Sequence, residues 1–318
     1  MKIGVLTSGG DAPGMNAAIR AIVRRGISLG MTVYGIRRGF DGLLDGDFRP
    51  MGVESVGDII HRGGTILHTA RADRFRLPEG QDLVAARLRG VGITGLVVIG
   101  GEGSFKGTVE LGKRGVGAVG VPGTIDNDIP FTDYSIGFDT ALNTGVEAVN
   151  RLRDTATSHE RVFVVETMGR KAGHLALAVG VAGGAESILI PELPVNMEEI
   201  CQKLKRGLDR GKVHSIIVVA EGARSGMDVA KEIQECMGME LRVTILGHVQ
   251  RGGTPTAFDR LIASRMGVAA VDALAHGKAG TMVGMSGTKT ILTPMTEVIT
   301  GKKEIDLELY NTADDLAR

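Results

Sequence analysis

The chain has 318 residues, of which 43% are hydrophobic and 23% are charged. This length exceeds what one hydrophobic core usually supports, so we expect two domains or one core extended by a second lobe. The composition excludes a small disulfide scaffold and a disordered chain. Because 37 basic residues balance 37 acidic ones, no chain-wide field attracts nucleic acid or anionic lipid, and any anion site must be local.

Other features of the composition narrow the class of protein. The apolar runs are too short for a membrane span and the first residues lack the pattern of a secretory signal, so we expect a cytoplasmic chain. Aromatic residues make up only 3%, which disfavours a single-strand nucleic-acid binder. Cys201 and Cys236 have neither metal-ligand spacing nor enough partners for a disulfide framework, so we expect buried or inert thiols. Glycine is unusually frequent, at 48 residues.

Short apolar runs alternate along the chain with longer stretches that carry apolar residues three and four apart. The runs predict strands at 2–7, 32–36, 95–100, 118–122, 161–166, 187–190, 215–220, 243–246 and 281–285. The longer stretches predict helices that include 15–29, 142–157, 197–210 and 257–275. Repeated βαβ units of this kind predict an α/β fold with mainly parallel sheets covered by helices on both faces. No linker separates the halves, so we expect interleaved lobes.

Polar or glycine-rich segments directly follow six of these strands, where a doubly wound sheet places its ligand loops. They are residues 8–16, 100–104, 122–128, 166–170, 221–222 and 247–253. By contrast, two G-x-G-x-x-G patterns at 90–95 and 115–120 lie before a strand or at its start, and we interpret both as accidental. A P-loop-like run at 107–113 is followed by Arg114 instead of Ser or Thr and lies inside a predicted helix, so we reject it as well.

Two of the glycine-rich segments join a strand to a helix, at 9–11 and at 100–104. There the bare backbone amides and the positive end of the helix can approach phosphate oxygens, although glycines in such places can also serve only the turn. Two such segments in one sheet, each with a carboxylate, favour a polyphosphate with a divalent metal. Glu102 is the candidate ligand because Mg²⁺ prefers carboxylate and phosphate oxygens.

The segment 124–128 places Asp126 and Asp128 on one side of a loop that we expect to be extended. Two nearby carboxylates suit proton abstraction from a hydroxyl, with the second orienting the substrate or holding metal. Asp-Asn-Asp is also turn chemistry, and without the other loops the turn would be the better interpretation.

Arginines at predicted strand edges suggest a second kind of site. Arg161, Arg170, Arg242 and Arg251, together with His248, would form a sugar-phosphate pocket if they converge on one cleft, because guanidinium groups bind phosphate through two parallel hydrogen bonds. A lone arginine at a strand end would be interpreted as a solvated surface group, and a lone histidine as a structural residue.

Taken together, these segments resemble the bacterial ATP-dependent 6-phosphofructokinases of the group-A phosphofructokinase family. The resemblance covers nearly the whole chain. It rests on TSGGDAPGMN at 7–16, GGT at 63–65, PGTIDND at 122–128, MGR at 168–170, EG at 221–222 and LGHVQRGG at 246–253. It implies transfer of the ATP γ-phosphoryl group to the 1-hydroxyl of fructose 6-phosphate, the committed step of glycolysis, with Mg²⁺ as cofactor.

The resemblance also implies the roles of individual residues. Asp126 would be the general base, with Thr124, Asp128 and Arg170 at the reacting centre. The ATP site would comprise Gly10, Arg71, Ala72, Gly101, Glu102, Gly103 and Ser104, with Glu102 at the magnesium position. The sugar phosphate would be held by Met168, Gly169, Arg170, Glu221, His248 and Arg251, with Arg161 and Arg242 from a neighbouring subunit. The active site would then need at least a dimer, and the family implies a homotetramer.

The same resemblance implies two lobes and an effector site. The ATP-binding lobe would comprise 1–137 and 251–300, and the fructose 6-phosphate-binding lobe 138–250 and 301–318. The effector, ADP or phosphoenolpyruvate, would bind a basic pocket between subunits at Arg20, Arg24, Arg153, Gly184, Glu186, Arg210 and Lys212. The segment 51–58 lacks the arginine that is common there, which suggests altered affinity.

Two alternatives to the ATP kinase stay open. Most family members have Asp where this chain has Glu102, which leaves room for a pyrophosphate-dependent enzyme. Pyrophosphate-using relatives typically carry Asp and Lys in place of Gly103 and Gly123, and retention of both glycines favours ATP. The second alternative, a non-catalytic regulatory subunit, is disfavoured because Asp126, Asp128 and Arg170 are all present.

Overall fold

A computed structural model describes residues 1–317 as an α/β protein with two separate sheets, as predicted. The strands are β1 (Lys2–Ser8), β2 (Thr32–Ile36), β3 (Phe48–Met51), β4 (Gly95–Gly100), β5 (Gly117–Pro122), β6 (Val162–Thr167), β7 (Ser187–Leu189), β8 (Ser215–Ala220), β9 (Leu241–Ile245), β10 (Thr281–Ser286) and β11 (Lys289–Pro294). The helices are α1 (Met15–Ser28), α2 (Gly39–Asp45), α3 (Pro78–Val91), α4 (Glu102–Gly112), α5 (Phe138–His159), α6 (His174–Gly183), α7 (Met197–Asp209), α8 (Gly226–Met237), α9 (Ala257–Ala275), α10 (Met295–Thr300) and α11 (Leu307–Leu316).

The residue contacts divide the chain into two interleaved units. Unit 1 comprises Met1–Thr124, Ile129–Thr140 and Arg251–Lys303. Unit 2 comprises Ile125–Asp128, Ala141–Gln250 and the segment that begins at Glu304. Three separate stretches of sequence therefore build each unit.

Unit 1 contains a seven-stranded sheet in the order β11-β10-β5-β4-β1-β2-β3. Its five central strands are parallel, and the two edge strands, β3 and β11, pair antiparallel with their neighbours. Leu96 and Val98 of β4 pack with α2, α3 and α4, whereas α1 and α9 cover the opposite face. The central strands are buried on both sides, which explains their continuous apolar runs.

Unit 2 contains a four-stranded parallel sheet in the order β7-β8-β6-β9. Every residue of β8 is buried, as expected for a central parallel strand. Side chains of α7 and α8 cover one face of this sheet, and α6 packs on β7 and β8. Asn196 and Ser225 begin α7 and α8 by accepting hydrogen bonds from the backbone amides of Glu199 and Asp228.

The prediction for the two cysteines is wrong. Cys201 of α7 and Cys236 of α8 form a disulfide, with their Cα atoms 6.6 Å apart. Cys201 is buried in the core under both helices, whereas Cys236 is exposed. Their separation of 35 residues carries no metal or disulfide signature, and only the packing of α7 against α8 brings them together.

Candidate functional site

In unit 1, the two glycine-rich turns lie side by side. Strands β1 and β4 pair in a register that places Ser8 opposite Gly100. Gly9 has φ of 86°, a conformation that glycine adopts readily, and a Cβ at Gly9 would lie 3.7 Å from the Ser104 hydroxyl. A Cβ at Gly100 would lie 2.6 Å from the same hydroxyl and 2.5 Å from the Ser8 carbonyl oxygen. Glycine is therefore required where the two turns meet.

The start of α4 supplies free backbone amides beside these turns. Gly101 precedes the helix in an extended conformation, and its carbonyl oxygen accepts from the amide of Ser104 at 2.9 Å. Glu102 is the first helical residue, is exposed, and pairs with Lys106 one turn later at 2.5 Å. No atom lies within 4 Å of a Cβ built on Gly103, so the space beside this residue is open. A helix beginning of this kind favours phosphate oxygens.

A third strand end lies next to these turns. The amide of Gly123, just after β5, donates to the carbonyl of Gly100 at 3.0 Å, and a Cβ on Gly101 would lie 4.0 Å from Cβ of Thr124. A Cβ on Gly123 would lie 2.9 Å from the Ile99 side chain. Packing alone therefore requires glycine at 123, and the inference of space for a nucleotide depends on Gly103.

The segment 124–128 is not extended throughout, so that prediction is wrong. Ile125 and Asp126 lie in a turn, and Asn127 has φ of 51°, which Asn tolerates better than most residues. Asp126 is buried and Asp128 is half-buried. The turn chemistry that the sequence offered as an alternative is thus present together with the acid pair.

The loop that follows β3 is fastened to the first turn by polar side chains. The hydroxyl of Thr69 donates to the carbonyl of Gly9 at 2.7 Å. Asn16 donates to the carbonyls of Arg62 and Gly63 and accepts from the amide of Ile66. Arg71, two residues after Thr69, is exposed, and Ala72 is half-buried.

The structure also places Arg251 in unit 1. Its guanidinium group donates to the carbonyl of Asp11 at 3.2 Å. A Cβ on Gly10 would lie 2.2 Å from Nη1 of Arg251, so a larger residue there would displace the end of this side chain. Arg251 therefore lies on the first glycine turn. Neither this contact nor the hydrogen bonds of Asn16 to the loop after β3 were expected from the sequence, although Arg251 and Asn16 both belong to the quoted motifs.

In unit 2, three adjacent strand ends carry the predicted sugar-phosphate residues. Glu221 follows β8 and accepts from the amides of Gly169 and Arg170, at 3.2 and 2.8 Å, after β6. Gln250 accepts from the amide of Met168 at 2.8 Å, and His248 lies two residues before Gln250 in the turn after β9. These contacts hold the strand ends to one another.

Arg170 has φ of 55°, which is uncommon for a residue with a side chain. Glu221 and Gly222 hold the Arg170 backbone in this conformation. The Glu221 carboxylate accepts a hydrogen bond from the Arg170 amide, and the Arg170 carbonyl oxygen lies 1.9 Å from where a Cβ of Gly222 would be. Only glycine fits at 222. The exposed Arg170 side chain is therefore presented by a backbone turn that Glu221 and Gly222 maintain.

Arg161 and Arg242 lie at the amino-terminal end of the strands in the same sheet, opposite the end that carries Met168 and Arg170. Arg161 precedes β6, and Arg242 pairs with Phe163 near the beginning of that strand, whereas Met168 follows its end. Both arginines contact Glu240, at 3.7 and 2.8 Å. Strands of this length separate their two ends by roughly 20 Å. Within one chain, Arg161 and Arg242 therefore do not converge with Arg170, and the family resemblance assigns both to a neighbouring subunit.

Five of the predicted effector residues belong to unit 2, where two polar contacts join four of them. Arg153 donates to the carbonyl of Gly184 at 2.8 Å, and Lys212 pairs with the buried carboxylate of Glu186 at 2.6 Å. Arg210 is exposed at the end of α7. The remaining two residues, Arg20 and Arg24, lie on α1 in unit 1.

Residues 1–317, the part of the chain that the structure describes, show neither an enclosed group of metal ligands nor a membrane-spanning helix. This part of the chain contains no group of three or more His, Cys, Asp or Glu side chains that could enclose a metal ion. Its helices include none long and apolar enough to cross a membrane.

Glycine-rich turns at adjacent ends of parallel strands define an α/β protein built to bind phosphate groups. The chain matches the family described as Phosphofructokinase over residues 2–274. It is 58% identical over 316 residues to the ATP-dependent 6-phosphofructokinase of Halalkalibacterium halodurans and 56% identical over 316 residues to that of Natranaerobius thermophilus, and each match covers 99% of both chains. This chain belongs to the phosphofructokinase family.

A solved structure extends the comparison. The chain is 34% identical to the phosphofructokinase of Saccharomyces cerevisiae, with a TM-score of 0.88. The match covers 99% of this chain and 46% of the yeast chain, so this chain spans about half the length of that neighbour.

Proposed function

We propose that this chain transfers the γ-phosphoryl group of ATP to the 1-hydroxyl of fructose 6-phosphate, giving fructose 1,6-bisphosphate and ADP. The observation that carries the proposal is the 54–58% identity, over 99% of the chain, to bacterial relatives named ATP-dependent 6-phosphofructokinase. The adjacent strand ends of unit 1 support it, because phosphoryl transfer depends on positioning and charge neutralisation.

The donor side of the proposed site comes from unit 1. Gly10, Arg71, Ala72 and the segment 101–104 would line the ATP site, where the amides at the start of α4 face phosphate oxygens. The open space beside Gly103 supports a nucleotide rather than pyrophosphate.

The donor set around Glu102 fits Mg²⁺. Mg²⁺ is commonly held by one or two carboxylates together with substrate phosphates rather than by an all-protein cage. An exposed carboxylate beside the proposed phosphate site suits that arrangement, and it would exchange its pairing with Lys106 for the metal. Bound there, Mg²⁺ would neutralise charge that develops on the transferred phosphoryl group.

The chemical step is assigned to the segment after β5. Asp126 would accept the proton of the 1-hydroxyl while that oxygen forms its bond to the γ-phosphorus. The bond between the γ-phosphorus and the bridging oxygen breaks, and its electron pair leaves with ADP. Thr124 and Asp128 would position the reactants, and the guanidinium of Arg170 would neutralise charge on the phosphoryl oxygens.

The acceptor side of the proposed site draws mainly on unit 2. The residues that would hold fructose 6-phosphate are Met168, Gly169, Arg170, Glu221, His248 and Arg251. Arg161 and Arg242 would come from a neighbouring subunit, which makes the active unit at least a dimer and, by family resemblance, a homotetramer. We also propose a cytoplasmic location.

The effector site is a further part of the proposal. A basic pocket between subunits would bind ADP or phosphoenolpyruvate, and its residues would be Arg20, Arg24, Arg153, Gly184, Glu186, Arg210 and Lys212. Replacing Arg153 by Ala should abolish the response to these effectors and leave the rate at saturating substrate nearly intact. Unchanged regulation would refute the assignment.

Asp126→Ser tests the proposed mechanism. We expect kcat for fructose 6-phosphate phosphorylation to fall by several orders of magnitude with little change in either KM, because the carboxylate acts mainly in the transition state. Asp133→Asn, at an exposed carboxylate seven residues later, is the matched control and should retain the wild-type rate. Near-normal turnover of Asp126→Ser would end the general-base assignment.

A further inference from the structure

Asp259 is a buried carboxylate to which the proposed mechanism gives no role. It is the third residue of α9, and its solvent exposure is 0%. Burial raises its pKa to about 6, against the hydrogen bonds that favour the charged form. Its partners among the described residues are N–H and O–H donors rather than a cation: the amide of Gly137 at 2.8 Å, and the amide and hydroxyl of Thr140 at 2.8 and 2.5 Å.

These bonds join the beginning of α9 to the beginning of α5. Thr256 precedes α9 and caps it by accepting from the amide of Asp259 at 3.2 Å. The Thr256 hydroxyl donates to the carboxylate of Asp139 at 2.6 Å, and its amide donates to the Thr140 hydroxyl at 3.0 Å. Asp259 is therefore the buried centre of a polar junction between two helix N-termini.

The residues just before α5 lie along the end of β5. The hydroxyl of Ser135 is buried and donates to the carbonyl of Thr124 at 2.6 Å. The amide of Ile136 donates to the carbonyl of Pro122 at 2.9 Å. Gly137 has φ of 101°, and a Cβ there would lie 2.6 Å from Cβ of Ala12, so the chain bends closely against the first glycine turn.

A continuous path of buried contacts thus runs from Asp259 through residues 135–140 to Thr124. We propose that Asp259 is a positioning residue for phosphoryl transfer: it holds the loop before α5 so that Ser135 fixes the backbone from which the reacting segment 124–128 departs. This inference rests on the proposed function. In well-oriented sites, a misplacement of about 1 Å costs on the order of 100-fold in rate.

Asp259→Asn in the full-length chain tests the path. The amide group keeps the size of the side chain but replaces one acceptor oxygen with a donor, which then faces the N–H of Gly137 or Thr140. We expect kcat to fall on the order of 100-fold, with both KM values nearly unchanged. Asp272→Asn is the matched control, because Asp272 lies on the same helix in a surface ion pair with Arg25 and should leave kcat unchanged.

Ser135→Ala breaks the other end of the path. We expect it to lower kcat as well, and in the double variant the two losses should not add, because both remove the same constraint on Thr124. Fully additive losses would overturn the proposal. A folded Asp259→Asn variant with wild-type kcat, or one whose only change is a higher KM, would also overturn it.

If Asp259→Asn does not fold, two other variants still test the proposal. Thr140→Val removes only the hydroxyl that donates to Asp259, and together with Ser135→Ala it decides the matter: a lowered kcat in both supports the path, and wild-type kcat in both overturns it. The proposed function fails separately, when the unaltered chain does not phosphorylate fructose 6-phosphate with ATP.

Discussion

Glu102 is the residue that we propose as the magnesium ligand. Its side chain is exposed at the first position of α4 and pairs with Lys106, so it can turn toward a bound polyphosphate without disturbing the core. The side chain of glutamate is longer than that of aspartate, but this does not argue against Mg²⁺, because most of the ligand oxygens at a nucleotide site come from phosphates and water.

Glu102→Gln tests this position. Removing the charge should raise the Mg²⁺ concentration for half-maximal rate by at least about 10-fold, since even ligand-supporting residues commonly contribute that much to metal affinity. Rates measured across a magnesium titration at fixed ATP check it. Glu110→Gln on the same helix, which removes a surface pairing with Lys113, should leave the titration unchanged. An identical titration for Glu102→Gln would remove Glu102 from the metal site.

At the residue scale, the sequence predicted the glycine turns more accurately than the buried side chains that hold neighbouring segments in place. Gly9, Gly10 and Gly100 were expected to let the backbone approach phosphate. In the structure Gly9 has φ of 86°, Gly10 lies against the Arg251 guanidinium group, and backbone contacts at Gly100 exclude a side chain. Asp259 was missed because its partners lie about 120 residues away, and a lone Asp near the start of a helix is indistinguishable from ordinary capping. Gly123 was assigned to nucleotide space, although its packing against Ile99 already explains it.

At the scale of elements, long parallel strands were predictable and edge strands were not. The predicted strands at 32–36, 95–100 and 215–220 have the observed bounds, because buried parallel strands are continuous apolar runs. Strands β3 and β11 were missed. They are antiparallel, largely exposed and carry Pro50 and Pro294, which sequence patterns count against a strand although an edge tolerates them.

The disulfide between α7 and α8 gives a prediction at this scale. It closes a loop of about 35 residues, for which the chain-entropy model predicts stabilisation between about 3 and 4.7 kcal/mol. A dithiol reductant should therefore lower the Tm of the protein measured by differential scanning fluorimetry. Reduction converts the disulfide to two thiols and oxidises the dithiol to its cyclic disulfide.

The double variant Cys201→Ala, Cys236→Ala supplies the control for the reductant itself. Its Tm should be lower than that of the oxidised protein and should not respond to the dithiol. A Tm of the unaltered chain that is the same with and without reductant would show that the two helices do not depend on this bond.

At the scale of the whole molecule, the proposed function predicts a site that two subunits share. Arg161 and Arg242 lie near the beginning of β6 and Met168 lies after its end, so one chain cannot place these arginines and Met168 on the same sugar phosphate. Mixing the inactive variants Asp126→Ser and Arg161→Ala should therefore restore activity, because the hybrid contains one site with an intact Asp126 and an intact partner arginine.

Asp126→Ser mixed with Arg170→Ala is the control, since both changes affect the chain's own residues and no hybrid site is intact. Refolding the variants together and measuring the rate distinguishes the two cases. Equal rates for the two mixtures would show that Arg161 acts within its own chain or not at all. The sequence could predict this sharing only through family resemblance, because no local pattern encodes contacts between copies.

One measurement tests both the donor and the acceptor of the proposed reaction. Initial rates with fructose 6-phosphate and Mg²⁺ are compared for ATP and pyrophosphate at matched concentrations. The open space beside Gly103 and the similarity to ATP-dependent relatives predict fructose 1,6-bisphosphate formation with ATP and essentially none with pyrophosphate. A faster reaction with pyrophosphate would contradict the account, and no reaction with either donor would indicate a non-catalytic regulatory subunit.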